Sequence, residues 1–238
     1  MKKGIKAPSD ITVNDLIKRC ALLDGVTPQG LLRHCPTART YTFRHRGTIY
    51  SQGTRCNYLF FVISGQVKLA RVSRDGRELM TALMVTGEFF GPDLGHPGLP
   101  EAQETATAKG AVSVWRVPTN EFHDLLLNHP TLGLRILEVL ARRQRQMERR
   151  LECFAFKRTE ARLAETLREL SKGFEPRCEH GFGLHIRLSQ QELADLVSAT
   201  RPVVSTILNR LRKKGVLGYT REYVCVRAIE TVAKLIGE

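Results

Sequence analysis

Residues 188–215 constrain the fold most, because they have the pattern of two short helices joined by a tight turn. Their sequence is LSQQELADLVSATRPVVSTILNRLRKKG. Ser189 can cap the first turn of the first helix, and Glu192 three residues later completes a capping box. Ser198 and Ala199 are small enough to turn the chain. These residues therefore predict a helix-turn-helix.

The second of these helices is predicted to be amphipathic. Thr200 is its expected N-cap, and Pro202 falls in the first turn, where a missing amide costs little. The apolar face is predicted to contain Val203, Val204, Ile207, Leu208 and Leu211, and the polar face Arg201, Ser205, Thr206, Asn209, Arg210 and Arg212. A helix of this kind fits the DNA major groove. The alternative is an ordinary helical pair with a solvated charged face.

The segment that follows favours the DNA-binding interpretation. Residues 218–226, GYTREYVCV, alternate apolar and polar residues around a polar middle, which predicts a two-stranded wing. Lys213, Lys214 and Arg221 would then lie near the DNA backbone.

The charge of the chain agrees with a polyanionic partner. A formal net charge of +13 over 238 residues favours either nucleic acid or an anionic membrane surface. No segment approaches the roughly 20 apolar residues of a membrane span. The first ten residues, MKKGIKAPSD, are followed by no apolar run and do not form a secretory signal. We expect a soluble, cytoplasmic protein without a membrane partner.

Residues 40–117 have the pattern of an antiparallel β domain. Short β-rich segments recur between turns, among them TYTF, TIYSQG, YLFFVISGQVKLARV and ELMTALMV. This spacing predicts a sandwich or jelly roll. Glycines are expected at its corners, namely Gly47, Gly53, Gly65, Gly76 and Gly87.

A long helix is predicted from Leu132 to about Phe156. Residues at alternating steps of three and four form a heptad stripe, composed of Leu137, Leu140, Gln144, Met147, Leu151 and Phe154. Such a stripe favours pairing with the same helix of a second copy, and a homodimer suits a helix-turn-helix. The alternative is packing against the chain's own β domain. The flanking Arg142, Arg143, Arg145, Arg149 and Arg150 fit a solvated face better than an anion site.

The order of these elements resembles the Crp/Fnr family of bacterial transcription regulators. The motifs that carry the resemblance are RGTIYSQG, YLFFVISGQVKLARVSRDGREL, GEFFG and LSQQELADLVSATRPVVSTILNRLRKKGVL, and it extends from about Leu22 to Leu235. It implies an α+β chain with an N-terminal antiparallel β jelly roll of the cyclic-nucleotide-binding type, a long central dimerisation helix and a C-terminal winged helix-turn-helix. It also implies a homodimer that binds double-stranded DNA at a palindromic operator. RNA polymerase is a candidate further partner, through surface patches that the sequence does not identify.

The resemblance does not extend to the cyclic AMP site. Cyclic-AMP-binding members have a Gly-Glu-Leu after GEFFG and an Arg-Ser or Arg-Thr pair that grips the phosphate. Here the first position is occupied by Gly91-Pro92-Asp93-Leu94 and the second by Glu104-Thr105. A carboxylate repels a phosphate, so cyclic AMP is not expected. The residues of the candidate effector pocket are Glu88, Gly91, Asp93, Glu104 and Thr105, and either an unknown small molecule or no effector is expected.

Other sensors of the family also lack their residues here. Cys20 and Cys35 are too far apart for the iron-sulfur type, and His96 alone is not expected to ligate haem. No cofactor or metal is assigned. The six cysteines, at positions 20, 35, 56, 153, 178 and 225, contain no C-x-x-C pair and are expected to be reduced and mostly packed.

DNA reading is predicted to depart from the usual family pattern. Family members present Arg-Glu at the start of the recognition helix and a second Arg one turn later, where this chain has Arg201, Pro202 and Thr206. Only Arg201 is expected to keep its contact with guanine, so the operator should differ from the TGTGA half-site. The predicted DNA contacts are Ser189, Gln190, Thr200, Arg201, Pro202, Ser205, Thr206, Arg210, Lys213 and Arg221.

Two other classes of function fit the chain less well. An enzyme is not expected, because the seven histidines include no His-x-His pair and the sequence has no phosphate loop or nucleophile elbow. A cyclic-nucleotide-type module that regulates a protein partner would not need a winged helix. The expected division is an N-terminal segment at 1–21, a sensor domain at 22–131, a dimerisation helix at 132–156 and a DNA-binding domain at 157–238.

Overall fold

The structure, a computed structural model, describes residues 13–76, 78–91, 101–171, 184–186, 188–219, 224–226 and 234. The chain divides into two compact units, Met1–Arg142 and Arg143–Glu238. Among the described residues, no helix is both long enough and apolar enough to cross a membrane.

Helices flank the β domain of the first unit at both ends of its sequence. Before the first strand are α1 (Val13–Arg19), a short 3-10 helix (Ala21–Leu23) and α2 (Pro28–His34). After the last strand is α3 (Thr119–Asn128). These helices are not predicted from the sequence pattern. Thr27 caps α2, because its Oγ1 accepts a hydrogen bond of 3.0 Å from the Gly30 amide.

The strands of the β domain are antiparallel, as predicted, and the described residues form a six-stranded sheet. Its core order is β1-β6-β3-β4, with β2 paired to β6 and β5 paired to β3. The strands are β1 (Arg39–Phe43), β2 (Thr48–Tyr50), β3 (Tyr58–Val72), β4 (Glu78–Met84), β5 (Phe89–Phe90) and β6 (Thr105–Pro118).

Strand β3 separates two hydrophobic cores, because side chains alternate between the faces of a sheet. Leu59, Phe61 and Ile63 belong to the core that includes the flanking helices. Phe60 and Val62 belong to the other core, inside the β domain, with Tyr50 among its members. The aromatic rings of Phe60 and Phe90 stack there with centroids 5.2 Å apart. Both faces of the first half of the strand are therefore buried, which explains the continuous apolar sequence of residues 59–63.

The prediction that Gly65 lies at a corner is wrong. Gly65 lies within β3, where the pairing with β6 shifts register on both sides of Ser64. Its φ is 86°, and an added Cβ would lie 2.4 Å from the Ala111 carbonyl oxygen. The glycine therefore permits a β-bulge inside a long strand, because no other residue fits this close approach of two backbones.

The long helix α4 (Pro130–Phe156) matches the predicted central helix and begins two residues earlier. In the second unit follow α5 (Thr159–Ser171), α6 (Gln190–Leu196) and α7 (Arg201–Lys213). β7 (Leu184–Ile186), β8 (Leu217–Tyr219) and β9 (Val224–Val226) form an antiparallel sheet of order β7-β9-β8. The predicted hairpin is thus formed by β8 and β9, and β7 adds a third strand that the sequence reasoning missed.

Candidate functional site

The first helix of the helix-turn-helix begins at the predicted capping box. Ser189 Oγ accepts a hydrogen bond of 3.3 Å from the Glu192 amide, and the Ser189 amide donates one of 2.9 Å to Glu192 Oε2. Both groups are therefore satisfied within α6. The Ser189 hydroxyl, a predicted DNA contact, also donates to Glu192 Oε2 at 2.9 Å. Gln190 is half-buried at the first position of the helix.

The turn after α6 is a Schellman motif. The Ala199 amide donates to the Ala194 carbonyl at 2.9 Å, and the Ser198 amide donates to the Asp195 carbonyl at 3.3 Å. Ser198 has a φ of 47°, in the left-handed region that most often holds glycine at this position. A serine here carries backbone strain that contacts around the turn must offset.

Helix α7 separates into a buried and an exposed face, as its sequence predicts. Val204, Ile207, Leu208 and Leu211 are buried, whereas Val203 on the predicted apolar face is exposed. The exposed predicted DNA contacts of this segment are Thr200, Arg201, Pro202, Thr206, Arg210 and Lys213, and Ser205 is half-buried. The helix thus packs through one side and leaves its basic side accessible.

Two hydroxyl groups near the start of α7 differ from expectation. Thr200 occupies the N-cap position, but its side chain makes no capping hydrogen bond. That part of the prediction is wrong. Thr206 Oγ1 donates to the Pro202 carbonyl at 3.0 Å, so the helix already uses this hydroxyl's proton.

The basic residues at the end of α7 differ in their surroundings. Arg210 forms a close ion pair with Glu160 of α5. Arg212 donates to Asn209 Oδ1 at 3.2 Å. Lys213 and Lys214 are exposed. Arg221 of the predicted wing lies outside the described residues.

Most of the heptad stripe of α4 is exposed. Leu137, Met147 and Leu151 are 62%, 66% and 66% exposed, and Phe154 is 38% exposed. Leu140 instead packs against the helical core of the first unit. Gln144 is exposed and donates to Glu148 Oε1 at 3.0 Å. An apolar stripe of this length is costly to leave in water.

In the β domain, Glu104 at the family's phosphate-arginine position bonds to neighbouring strands. Thr81 Oγ1 donates to its Oε2 at 2.9 Å, and Tyr50 Oη donates to its Oε1 at 3.4 Å. Burial raises the pKa of Tyr50, and the nearby Glu104 carboxylate raises it further. The phenol therefore stays protonated and acts as a donor to the carboxylate.

Three other candidate pocket residues have structural contacts. Glu88 Oε2 accepts a hydrogen bond of 2.8 Å from the Val85 amide, and Thr105 Oγ1 accepts one of 3.0 Å from the Gln52 amide. An added Cβ at Gly91 would lie 2.8 Å from the Tyr58 carbonyl oxygen, so this glycine permits a close approach of two strands. Asp93 and His96 lie outside the described residues.

Cys20, Cys35 and Cys153 are buried and Cys56 is half-buried, whereas Cys178 lies outside the described residues. Burial raises the pKa of the Cys35 thiol to about 12, with the Glu121 carboxylate adding to the effect. It also raises the pKa of Cys20 and Cys56. These three thiols are thus less ionised than ordinary cysteines, which disfavours oxidation chemistry.

Comparison with known protein families matches both halves of the chain. Residues 41–129 match the cyclic nucleotide-binding domain model, and residues 161–235 match the Crp-like helix-turn-helix domain model. The chain belongs to the Crp/Fnr family. This Crp/Fnr chain is accordingly a transcription regulator with a helix-turn-helix DNA-binding domain.

Curated relatives span nearly the whole regulator. The CRP-like cAMP-activated global transcriptional regulator of Mycobacterium tuberculosis is 26% identical over 226 residues, which cover 93% of this chain and 99% of the relative. The global nitrogen regulator of Nostoc is 27% identical over 194 residues, covering 81% and 87%.

Solved structures show the same fold. The c-di-GMP responsive regulator CLP of Xanthomonas campestris has a TM-score of 0.67 and 25% identity, with coverage of 84% of this Crp/Fnr chain and 97% of CLP. FixK2 of Bradyrhizobium japonicum has a TM-score of 0.71 at 22% identity, with coverage of 84% and 97%.

Sequence reasoning missed several polar residues of this Crp/Fnr regulator. Tyr50 and Thr81 bind Glu104 from other strands, and Glu160 binds Arg210 from another helix. Arg162 of α5 donates to carbonyl groups of the helix-turn-helix turn. None of them lies in a local motif. The sequence offered only an indirect signal: a carboxylate at position 104, where the family has an arginine, needs hydrogen-bond donors from elsewhere in the chain.

Proposed function

We propose that the protein is a homodimer that reads a palindromic DNA operator with one α7 helix of each copy in the major groove. The observation that carries this proposal is the division of α7 into a buried apolar face and an exposed basic face. We infer that the exposed residues near its N-terminus contact base edges and that those near its C-terminus contact phosphates, as is usual for a recognition helix.

Individual contacts follow from the chemistry of the side chains. Arg201 donates to guanine O6 and N7, because its planar fork matches these two acceptors. Ser205 and Thr206 make shorter contacts with bases or phosphates, and Arg210 and Lys213 hold the backbone. Pro202 has no carboxylate to accept from cytosine N4, so the operator differs from that of members with an Arg-Glu pair.

Dimerisation would be mediated by the stripe on α4. Pairing of two such helices would remove Met147, Leu151 and Phe154 from water. A polar Gln144 within the stripe would fix the register of the pair. Two-fold symmetry then gives each operator half-site the same reading helix. With this role, residues 132–156 are the dimerisation helix between a sensor domain at 22–131 and a DNA-binding domain at 157–238.

The effector, where there is one, is not a cyclic nucleotide held by its phosphate. The names of the relatives disagree on the effector, since one is cAMP-activated and another is c-di-GMP responsive. In this chain Glu104 would repel a phosphate at the arginine position, and its oxygens already accept from Tyr50 and Thr81. The β domain therefore fits either a ligand of different chemistry or no effector at all.

The proposal is tested by selecting random duplex DNA with the purified, ligand-free chain at about 150 mM salt, where purely electrostatic binding is weakened. A palindrome with half-sites about 10 base pairs apart is expected. Enrichment of a single, non-repeated site would overturn the proposal that the protein binds DNA as a dimer. A complete lack of enrichment would exclude effector-independent reading, and the selection would then be repeated with candidate effectors.

A second measurement tests the dimer directly. Met147→Asp should shift the protein from dimer to monomer in sedimentation equilibrium, because pairing would bury one carboxylate from each copy. Gln146→Asp is the matched control, since Gln146 is exposed on the same helix but outside the stripe. Equal dissociation of both variants would exclude the stripe as the interface.

A further inference from the structure

Arg162 joins the turn of the helix-turn-helix to the segment between α4 and α5. Its Nε donates to the Val197 carbonyl at 3.1 Å, and one terminal nitrogen reaches the Ser198 carbonyl at 3.4 Å. The same nitrogen donates to Thr159 Oγ1 at 3.3 Å, and the other reaches the Lys157 carbonyl at 3.4 Å. One guanidinium thus donates both to the turn of the helix-turn-helix and to the segment at the start of α5.

We propose that Arg162 is a positioning residue for DNA reading, which holds the turn before α7 so that Arg201 meets the bases in register. This inference rests on the proposed reading by α7. Arg162 need not touch DNA, because its hydrogen bonds are made to the protein's own backbone.

The carbonyl groups of the turn explain why such a residue is needed. Within the motif, the amides of Val197, Ser198 and Ala199 donate back to α6. The last carbonyl groups of a helix have no partner inside it and need one from elsewhere. Arg162 supplies donors to two carbonyl groups in succession, those of Val197 and Ser198.

Two features of the turn nevertheless weaken it. Ser198 is strained by its φ of 47°, and Thr200 makes no side-chain cap at the start of α7. Arg201 follows Ser198 by only three residues. A change in the backbone at Ser198 would therefore move the first turn of α7 directly, and with it the proposed guanine contact.

The surroundings of Arg162 suit this role. Its guanidinium lies 5.5 Å from the centroid of the Phe154 ring, at the end of α4. It lines a shallow cleft together with Arg150, Glu165 and Glu169. Arg150 and Glu169 form an ion pair of 3.6 Å at this cleft. The planar guanidinium can donate to several carbonyl groups at once, which a lysine ammonium on a flexible stem cannot reproduce.

The test compares Arg162→Lys with Arg168→Lys in the full chain. Arg168 lies on the same helix and pairs with Glu165, so its replacement controls for the loss of a guanidinium from α5. Circular dichroism melts first establish that both variants fold. Affinities are then measured for the selected operator and for a scrambled duplex of the same length, over a range of salt concentrations.

Arg162→Lys should weaken operator binding by about tenfold or more, since a misplaced Arg201 loses a bidentate base contact. Binding to the scrambled duplex and the salt dependence should stay unchanged, and Arg168→Lys should behave as the native protein does. Equal weakening on both duplexes with a shallower salt slope would identify Arg162 as a phosphate contact and overturn the proposal. Unchanged operator affinity would also overturn it.

A measurement without DNA separates this proposal from the proposed function. Amide hydrogen exchange of residues 197–201 should accelerate in Arg162→Lys. Adding Ser198→Gly should recover part of the operator affinity by relieving the strain. Faster exchange in a protein that selects no operator would mean that the function is wrong and the link is structural. Unchanged exchange would overturn the link itself.

Discussion

The candidate binding residues of the β domain and those of the helix-turn-helix have opposite surroundings. In the β domain, Glu88 and Glu104 sit at candidate ligand positions, yet their oxygens accept hydrogen bonds from the domain's own groups. On α7, Arg201 and Lys213 are exposed. Both regions belong to matched family domains, but the candidate ligand carboxylates of the first bond within the domain, whereas the proposed DNA contacts Arg201 and Lys213 of the second are exposed.

The difference shows how a family fold can keep one function and change another. A half-buried carboxylate gains from hydrogen-bond donors, and donors from the domain's own groups make it part of the structure. An exposed guanidinium costs little in the free protein and gains bidentate bonds when DNA arrives. Hence DNA reading can be proposed for particular residues of α7, whereas the effector cannot be proposed from Glu88 or Glu104.

The largest effect should follow removal of the proposed base contact. Arg201→Ala should weaken binding to the selected operator by about 1–3 kcal/mol and relax the preference at one base position. Lys213→Ala is the comparison variant, because loss of a phosphate contact should weaken all duplexes equally and reduce the salt slope by about 1. Binding titrations on operator and single-base variants measure both. Uniform weakening by Arg201→Ala would exclude base reading by this residue.

In the β domain, the corresponding experiment should affect stability instead. Glu104→Ala removes the acceptor of the Tyr50 hydroxyl and should lower the free energy of unfolding by about 1–2 kcal/mol. Glu104→Gln keeps an oxygen acceptor and should cost less. Urea unfolding measures stability, and operator affinity of the folded variants should be unchanged. Altered DNA affinity without a change in stability would show that Glu104 belongs to a regulatory site.

Local patterns made the DNA-binding half easier to predict than the β domain. The capping box joins Ser189 and Glu192, which are three residues apart, so sequence spacing alone specifies it. The apolar periodicity of α7 likewise predicts its buried face. Short elements gave weaker signals, and the three-residue strand β7 was not predicted for that reason.

Contacts between distant segments could not be predicted from spacing. Tyr50 and Glu104 are 54 residues apart and meet only because β2 pairs with β6. Arg162 lies 35 residues before Val197. The bulge at Gly65 depends on the close approach of the β6 backbone. These features follow from strand pairing and helix packing, which one chain's pattern of apolar residues does not specify.

Alkaline pH should weaken the first unit through its buried thiols. The pKa of Cys35 is raised to about 12, so the folded state keeps the proton that the unfolded chain releases near its ordinary value of 9.0. A group with a raised pKa contributes stability that is lost as pH rises. Between about pH 9 and 10 this thiol should account for about 1 kcal/mol of lost stability. Cys35→Ser should reduce the slope of unfolding free energy against pH by that amount; an unchanged slope would mean that the thiol titrates normally.

The smallest expected effect concerns Arg210, a proposed phosphate contact that forms an ion pair with Glu160. Glu160 pairs with Arg210 on an exposed surface, where such a pair contributes little to stability. Glu160→Gln removes a carboxylate beside the proposed phosphate contact and should strengthen binding by about 0.2–1 kcal/mol on operator and scrambled duplex alike. Glu101→Gln removes the same charge from an exposed position in the first unit and should have less effect. Stronger binding to the operator alone would place Arg210 at a base instead of the backbone.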